Sequence, residues 1–357
     1  MLKRKMYSFM LSVFVITLLC GSSAFAQKKI NVISTYSDYA SIAKEIGGDK
    51  IDTDYLSHGA QDPHFVAPKP SLAIKLKGAD MFICSGMDLE VWATTLLDKA
   101  RNKNIMDGAV GFVTVKQGIT ILEKPQGAIN RTEGDIHVSG NPHFQTSPVN
   151  WVSISENILI GLKKVDPENA GYYEERQKVF VDKVHRRLFG DELVDLLGGE
   201  RLNEMLLSNT LFELLEKEYQ GEKLIVKLSG WMKMALPFRN KEMIAYHKNW
   251  SYFARDFGLT IIGFIEPKPG IPPTPKHVQD TINSIKEHGV DVMLVASYFE
   301  KRKPNTIASK TGIKAVFLPV SVEAIPELSD NFKLVDFWID TINKAMNGSK
   351  ISVQSLR

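Results

Sequence analysis

The chain of 357 residues lacks several features that mark specialised classes of protein. It has only two cysteines, Cys20 and Cys84, and its 44 basic residues barely outnumber its 41 acidic ones. Lys3, Arg4 and Lys5 account for this excess, so the remaining chain is neutral overall. A nucleic-acid-binding domain typically carries a clear basic excess. The composition therefore indicates an ordinary globular protein that does not bind nucleic acid.

The chain also lacks a hydrophobic run long enough to span a membrane. The apolar stretch Met6–Cys20 is shorter than the roughly 20 residues that a bilayer requires. It follows the basic residues near the start and precedes Ala24-Phe25-Ala26, a pattern typical of a cleaved signal peptide. Lipid attachment at Cys20 is the alternative, but Leu19 stands where a lipoprotein signal has a small residue. We predict cleavage after Ala26 and a periplasmic location.

Loss of residues 1–26 would leave Cys84 as the one remaining cysteine. A single cysteine cannot form an internal disulfide, and it cannot build a zinc site of several thiolates. Cys84 ends the apolar run Met81-Phe82-Ile83-Cys84, which favours a small buried hydrophobic residue over a reactive thiol. The core alone must therefore stabilise the protein.

Apolar strand candidates alternate with amphipathic helices, first between residues 30 and 115 and again from residue 242. This rhythm predicts an α/β protein, and the length favours two lobes over one core. Each lobe is expected to be a mostly parallel sheet flanked by helices. The predicted divisions are a signal peptide over 1–26, an N-terminal lobe over 27–165, a linking helix over 166–190, a helical insertion over 191–236 and a C-terminal lobe over 237–357.

The predicted linking helix is the longest element of the chain. Asp166 is interpreted as its N-cap and Pro167 as its first residue. Proline is absent from the rest of the segment as far as Gly190, so the helix is expected to be continuous and rigid. We expect Glu174 and Lys178 to form an i,i+4 ion pair on it. The insertion over 191–236 is expected to be helical and to lie on the surface.

Three histidines have unusual sequence surroundings. His64 and His143 each follow a proline in a loop, and His247 follows the strand candidate Glu242–Tyr246. Ligands of open α/β sheets bind beyond the carboxyl ends of strands, and three imidazoles without a thiolate suit Zn²⁺. The alternative, from residue types alone, is that these three histidines do not form a common site. The histidines in polar helical surroundings are interpreted as surface residues: His185, His277 and His288.

Four ordered motifs resemble those of the cluster A-I solute-binding proteins of zinc and manganese ABC importers. The motifs are Gln61-Asp62-Pro63-His64, Gly134-Asp135-Ile136-His137 with Gly140-Asn141-Pro142-His143, Tyr246-His247 with Trp250 and Tyr252-Phe253, and Glu266-Pro267-Lys268-Pro269-Gly270 with Ile271-Pro272-Pro273. The resemblance extends from about residue 29 to residue 346, with residues 191–228 as a less familiar insertion.

The resemblance implies two α/β lobes, one long rigid linking helix and a metal site in the cleft between the lobes. Its ligands would be His64 and His143 from the first lobe and His247 from the second. The expected substrate is zinc, with manganese possible, and the expected partner is the permease of an ABC importer. We expect a monomer that binds one metal ion and has no catalytic activity.

The sequence departs from the resemblance at the fourth ligand. Relatives often place a carboxylate at the end of the last strand, but here Phe317–Ser321 contains none. Water or Glu300 could complete the site, and the loss of a carboxylate favours zinc over manganese. Asp135 could orient the ligand His143, and His137 could help to capture the metal. The alternative is that both are ordinary polar loop residues.

Two other functions compete with transport. A zinc hydrolase would use an open coordination position and would need a general base beside the metal. No glutamate adjoins the three candidate histidines in sequence. A surface adhesin that retains the fold is the other alternative, and a signal peptide without an anchor argues against it.

Overall fold

The computed structural model describes residues 28–125, 137–266 and 270–347. The predicted signal peptide and Asp135 lie outside the described residues. Within those three ranges, no helix combines the length and the apolar character needed to cross a bilayer.

The first sheet forms from residues 30–114. Its elements in chain order are β1 (Ile30–Tyr36), α1 (Ser37–Gly47), β2 (Ile51–Ser57), α2 (Pro70–Lys77), β3 (Met81–Cys84), α3 (Val91–Ala100) and β4 (Phe112–Thr114). The strands are parallel in the order β2-β1-β3-β4. Cys84 is buried and unpaired, as predicted from its apolar run.

Two packed helices follow this sheet. They are α4 (Trp151–Val165) and, after a short 3₁₀ turn over Pro167–Asn169, α5 (Ala170–Phe189). At 1.5 Å per residue, the 20 residues of α5 span about 30 Å. The expected ion pair between Glu174 and Lys178 is wrong, because α4 lies beside α5 and brings Lys163 to the Glu174 carboxylate.

Residues 191–235 are less uniform than predicted. They form α6 (Asp191–Leu197), α7 (Gly199–Leu207), α8 (Leu211–Leu215), an antiparallel hairpin of β5 (Glu218–Tyr219) and β6 (Glu222–Lys223), and α9 (Gly230–Ala235). The segment was expected to be helical, and the hairpin of β5 and β6 is an element that this expectation did not include. Many side chains of this segment are exposed, whereas α7 and α9 pack against α5 and bury Leu202, Leu206 and Trp231 in the main core.

The second sheet repeats the architecture of the first. Its elements are β7 (Glu242–Ala245), α10 (Ser251–Phe257), β8 (Thr260–Phe264), α11 (Pro275–His288), β9 (Val292–Ala296), α12 (Arg302–Thr311), β10 (Lys314–Leu318) and α13 (Asn331–Met346). All pairings are parallel, in the order β10-β9-β7-β8. The predicted fold class is therefore confirmed, with two parallel sheets flanked by helices.

One apolar core continues from the first sheet through α4 and α5 to the second sheet. Trp151, Phe180, Trp231 and Phe332 meet in a cluster of aromatic rings whose centroids lie 5.7–6.0 Å apart. Polar contacts also cross between the halves, including a 2.6 Å hydrogen bond from Ser37 Oγ to the backbone oxygen of Val322. The two sheets are therefore held in a fixed mutual position.

His185 differs from its expected surface position. It lies on α5 and is 3% exposed, because Gly199 at the start of α7 packs directly against its ring. The Nε2 atom has no hydrogen-bond partner among the residues with described coordinates. Burial lowers the pKa of His185 to about 4. The neutral ring therefore belongs to the folded core.

This burial predicts a pH dependence of stability. Unfolded His185 has a pKa of about 6.5, so the unfolded state binds the proton more tightly than the folded state does. The free energy of unfolding should therefore fall as the pH decreases from about 6.5 to 4. Urea denaturation measures this free energy. Between pH 7 and pH 4, we expect the free energy of unfolding to fall by about 2–3 kcal/mol less in His185→Gln than in the parent. The exposed His288→Gln variant is the control, and parallel pH profiles for parent and His185→Gln would contradict the prediction.

Candidate metal centre

Asp-Pro-His and Asn-Pro-His sequences set the backbone of the first two candidate histidines. Asp62 Oδ1 accepts a hydrogen bond from the backbone N–H of His64 at 3.0 Å, and Asn141 Oδ1 accepts one from that of His143 at 2.9 Å. These are Asx turns, in which a side-chain oxygen takes the place of a backbone carbonyl. The intervening proline fixes one backbone angle in each turn. Local sequence therefore orients both histidines.

His247 reaches the same place from the second sheet, directly beyond the carboxyl end of β7. Polar contacts join the following segment to the loop of His143. Asn141 Nδ2 donates to the backbone oxygen of Lys248 at 2.9 Å, and Thr146 Oγ1 donates to that of Asn249 at 3.0 Å. The two halves of the chain therefore meet at the candidate site.

All three predicted histidines lie together, with His137 as a fourth member of the group. The four rings offer nitrogen atoms that lie within 4.8 Å of one another. The Nε2 atoms of His143 and His247 are 3.2 Å apart, and the ring centroid of His64 lies 5.1–5.2 Å from theirs. The buried Nε2 of His64 has no hydrogen-bond partner within the described part of the chain. Once their protons are lost, imidazole nitrogens so arranged can bind one cation.

The outer nitrogens of the same rings have polar neighbours. Asp62 Oδ1 lies 2.7 Å from Nδ1 of His64, and Glu266 Oε2 lies 3.0 Å from Nδ1 of His247. Asn249 Nδ2 lies 3.5 Å from Nδ1 of His143. A carboxylate that accepts the Nδ1 proton leaves the Nε2 lone pair directed inward, which is the arrangement of metal-binding histidines.

Glu266 reaches His247 because β7 and β8 are adjacent parallel strands. Ala245 is paired with Phe264, so residues two positions further along each strand lie side by side. The other oxygen of Glu266 accepts a hydrogen bond from the backbone N–H of Gly270 at 2.8 Å. Glu266 stands in one of the four motifs of the resemblance, but its role does not follow from the sequence, because only the strand order reveals its neighbour.

Burial sets the protonation of the site. It lowers the pKa of His247 to about 3, and together with His64 and His247 it lowers that of His143 well below its usual value. Burial also raises the pKa of Glu266 to about 7. The His143 and His247 rings are therefore neutral near pH 7, and a neutral imidazole is the form that binds a metal.

Glu300 was a candidate fourth ligand from the sequence, but its carboxylate forms hydrogen bonds away from the histidines. Its carboxylate accepts hydrogen bonds from the backbone N–H groups of Arg302 and Lys303 at the start of α12. The side chain is exposed and does not belong to the histidine group. Its role is to cap a helix.

Comparison with known proteins identifies the family. A profile of the family described as "zinc-uptake complex component A periplasmic" (ZnuA) matches residues 32–188 and 215–345. The chain belongs to the ZnuA family.

Curated relatives of the chain include transport proteins for two metals. High-affinity zinc uptake system protein ZnuA of Bacillus subtilis (strain 168) is 23% identical over 314 residues, covering 85% of this chain and 84% of that protein. Manganese ABC transporter substrate-binding lipoprotein scaA of Streptococcus gordonii is 22% identical over 334 residues, covering 91% and 92%. The relatives of this ZnuA-family chain thus include proteins named for zinc and for manganese transport.

Solved structures share the fold. A crystal structure of ZnuA matches with a TM-score of 0.64 and 21% identity, covering 89% of this chain and 100% of that one. The manganese-bound periplasmic metal binding protein from Candidatus Liberibacter asiaticus matches with a TM-score of 0.63 and 19% identity over the same shares. At these identities, the likeness concerns the fold alone.

The two carboxylates predict the tautomers of their histidines in the metal-free protein. We expect His64 to carry the proton on Nδ1, because Asp62 accepts it there at 2.7 Å. We expect the same tautomer for His247, because a proton on Nδ1 faces the Glu266 carboxyl group 3.0 Å away. Long-range ¹H–¹⁵N NMR spectra distinguish the two tautomers. In Asp62→Ala, the His64 signals should move toward those of the Nε2–H form while His247 is unchanged.

Glu242→Ala provides the matched control. It removes a carboxylate from the exposed His288, 2.9 Å away, and should leave the spectra of both buried histidines unchanged. Nε2–H tautomers at both sites in the parent would show that the carboxylates do not orient these rings.

Proposed function

We propose that this protein captures a divalent transition metal ion, zinc in preference to manganese, and delivers it to the membrane permease of an ABC importer. The convergence of buried imidazole nitrogens from His64, His143 and His247 is the observation that carries this proposal. Four nitrogens at about 2.0 Å from a tetrahedral zinc ion lie about 3.3 Å apart. The 3.2 Å separation of two Nε2 atoms fits that distance.

In this proposal, the lobe of residues 27–165 supplies His64 and His143, and the lobe of residues 237–357 supplies His247. The helix over 166–190 would link them, with 191–236 as an insertion. Two relatives are named as zinc and manganese transport proteins, which supports a divalent transition metal as the substrate. The protein would act in the periplasm as a monomer with one metal ion per chain, after cleavage behind Ala26.

Zinc is proposed as the preferred metal because of the donor atoms. Among the residues that the structure describes, the group offers imidazole nitrogens and no carboxylate oxygen. Zn²⁺ binds imidazole well, whereas Mn²⁺ prefers oxygen ligands and binds nitrogen sites more weakly. The manganese relatives keep the alternative metal open to a direct test.

We further infer that the protein is not an enzyme. A zinc hydrolase requires a general base within hydrogen-bond reach of metal-bound water. Asp62 and Glu266, the carboxylates that contact these rings, lie beside Nδ1 atoms on the outer side. That position supports a role in holding the rings rather than in activating water.

Each of the three histidines should be required for zinc binding. We expect His64→Ala, His143→Ala and His247→Ala each to weaken zinc affinity by at least about 100-fold. Even mutation of a group that only hydrogen-bonds to a metal ligand typically lowers metal affinity about 10- to 100-fold. Competition with a chromophoric chelator measures the affinity, and circular dichroism checks the fold. His288→Ala is the control. A variant that binds zinc as tightly as the parent would remove that histidine from the site.

The preference for zinc can be measured directly. Dialysis of the metal-stripped protein against equal concentrations of Zn²⁺ and Mn²⁺, followed by elemental analysis, should give about one zinc per chain and at least roughly tenfold less manganese. Equal or greater manganese content would assign the protein to manganese transport. Retention of neither metal would overturn the proposed function.

A further inference from the structure

We propose that His137 is the fourth metal ligand, so that the bound ion is enclosed by four imidazoles and manganese is disfavoured. This inference rests on the proposed function and extends it to a residue outside the three predicted ligands.

His137 lies against two of the other rings. Its ring stacks on that of His64, with centroids 5.4 Å apart and an interplanar angle of 25°, and meets the ring of His143 edge to face at 5.9 Å. The residue is 8% exposed. A polar loop residue of no function would be expected to keep its imidazole in water. Its burial among the other imidazoles points to a ligand role.

The backbone around His137 is held in place. Asp88 Oδ2 accepts a hydrogen bond from the backbone N–H of Val138 at 2.7 Å, and the backbone oxygen of His137 accepts one from Gly140 at 3.0 Å. Gly140 has a φ of 101°, and a Cβ there would lie 2.6 Å from a methyl carbon of Ile121. Glycine is therefore required for this turn, which presents His137 to the group.

Other candidates for the fourth position are engaged elsewhere. After β10, where the resemblance leads one to expect a carboxylate, the chain has the buried Ser321, which supplies none. Glu300 caps α12. His137 is the remaining side chain in the group of nitrogen atoms that lie within 4.8 Å of one another.

The charges also fit a fully imidazole-bound ion. Four neutral rings leave the two positive charges of Zn²⁺ in place, and a buried charge is costly without compensation. Asp62 and Glu266 supply two carboxylates, each beside the Nδ1 of a ligand ring. The acidic groups that face the bound charge thus lie outside the coordination sphere, where they supply no oxygen ligand that would attract Mn²⁺.

X-ray absorption at the zinc edge tests the ligand count. We expect the parent to show four imidazole nitrogens at about 2.0 Å, and His137→Gln to show three. Zinc affinity in His137→Gln should fall by about 10- to 100-fold or more. His137→Asp should restore part of the zinc affinity and raise the affinity for Mn²⁺ relative to Zn²⁺, because it supplies an oxygen ligand.

His58→Gln is the matched control, since His58 is an exposed loop histidine outside the group. It should leave both the ligand count and the affinity unchanged. Three imidazoles and an oxygen in the parent, with affinity unchanged in His137→Gln, would overturn this inference while the proposed function stands. Failure of the parent to bind zinc would remove the proposed function itself, and this inference with it.

Discussion

The burial of imidazole nitrogens that face one another is the constraint on which the rest of the site depends. A buried polar atom without a partner costs about 1–3 kcal/mol, and the Nε2 of His64 is such an atom within the described ranges. Desolvation also keeps His143 and His247 neutral. A group of this kind is poorly satisfied by the protein alone and well satisfied by a cation. The structure holds this arrangement because the surrounding packing and hydrogen bonds determine where each ring lies.

That packing comes from the shared core. The aromatic cluster around Trp151 and Phe332 continues from one sheet to the other, so the carboxyl ends of both sets of strands face each other without depending on a ligand. Hydrogen bonds from Asn141 and Thr146 to the segment after His247 then fix the distance between the two halves at the site itself. Because protein interiors are close-packed, a small displacement of one half would disturb many contacts at once. The fold therefore supplies preorganisation, which lowers the entropy lost when a metal ion binds.

The sequence predicted the parts of this arrangement that depend on local pattern. Buried parallel strands are continuous apolar runs, and β3 and β9 are of this kind. The edge strand β2 has a polar middle, Asp52-Thr53-Asp54, so its apolar pattern is a weaker signal. The Pro-His dipeptides drew attention to His64 and His143. The roles of Asn249 and Glu266 could not be assigned, since they follow from strand order and from contacts between the halves. His137 could not be separated from an ordinary loop residue, because burial among other histidines is a property of the fold.

A site of this composition couples binding to stability. A ligand that binds only the folded state adds RT ln(1 + [L]/Kd) to the free energy of unfolding, about 4 kcal/mol at a thousandfold excess over Kd. The proposed donors come from segments far apart in sequence, at His64, at His143 and at His247, so an unfolded chain cannot present them together. A metal ion bound by them would therefore stabilise the contact between the two halves. Release of that ion to a partner would then require the partner to supply binding energy that separates these donors.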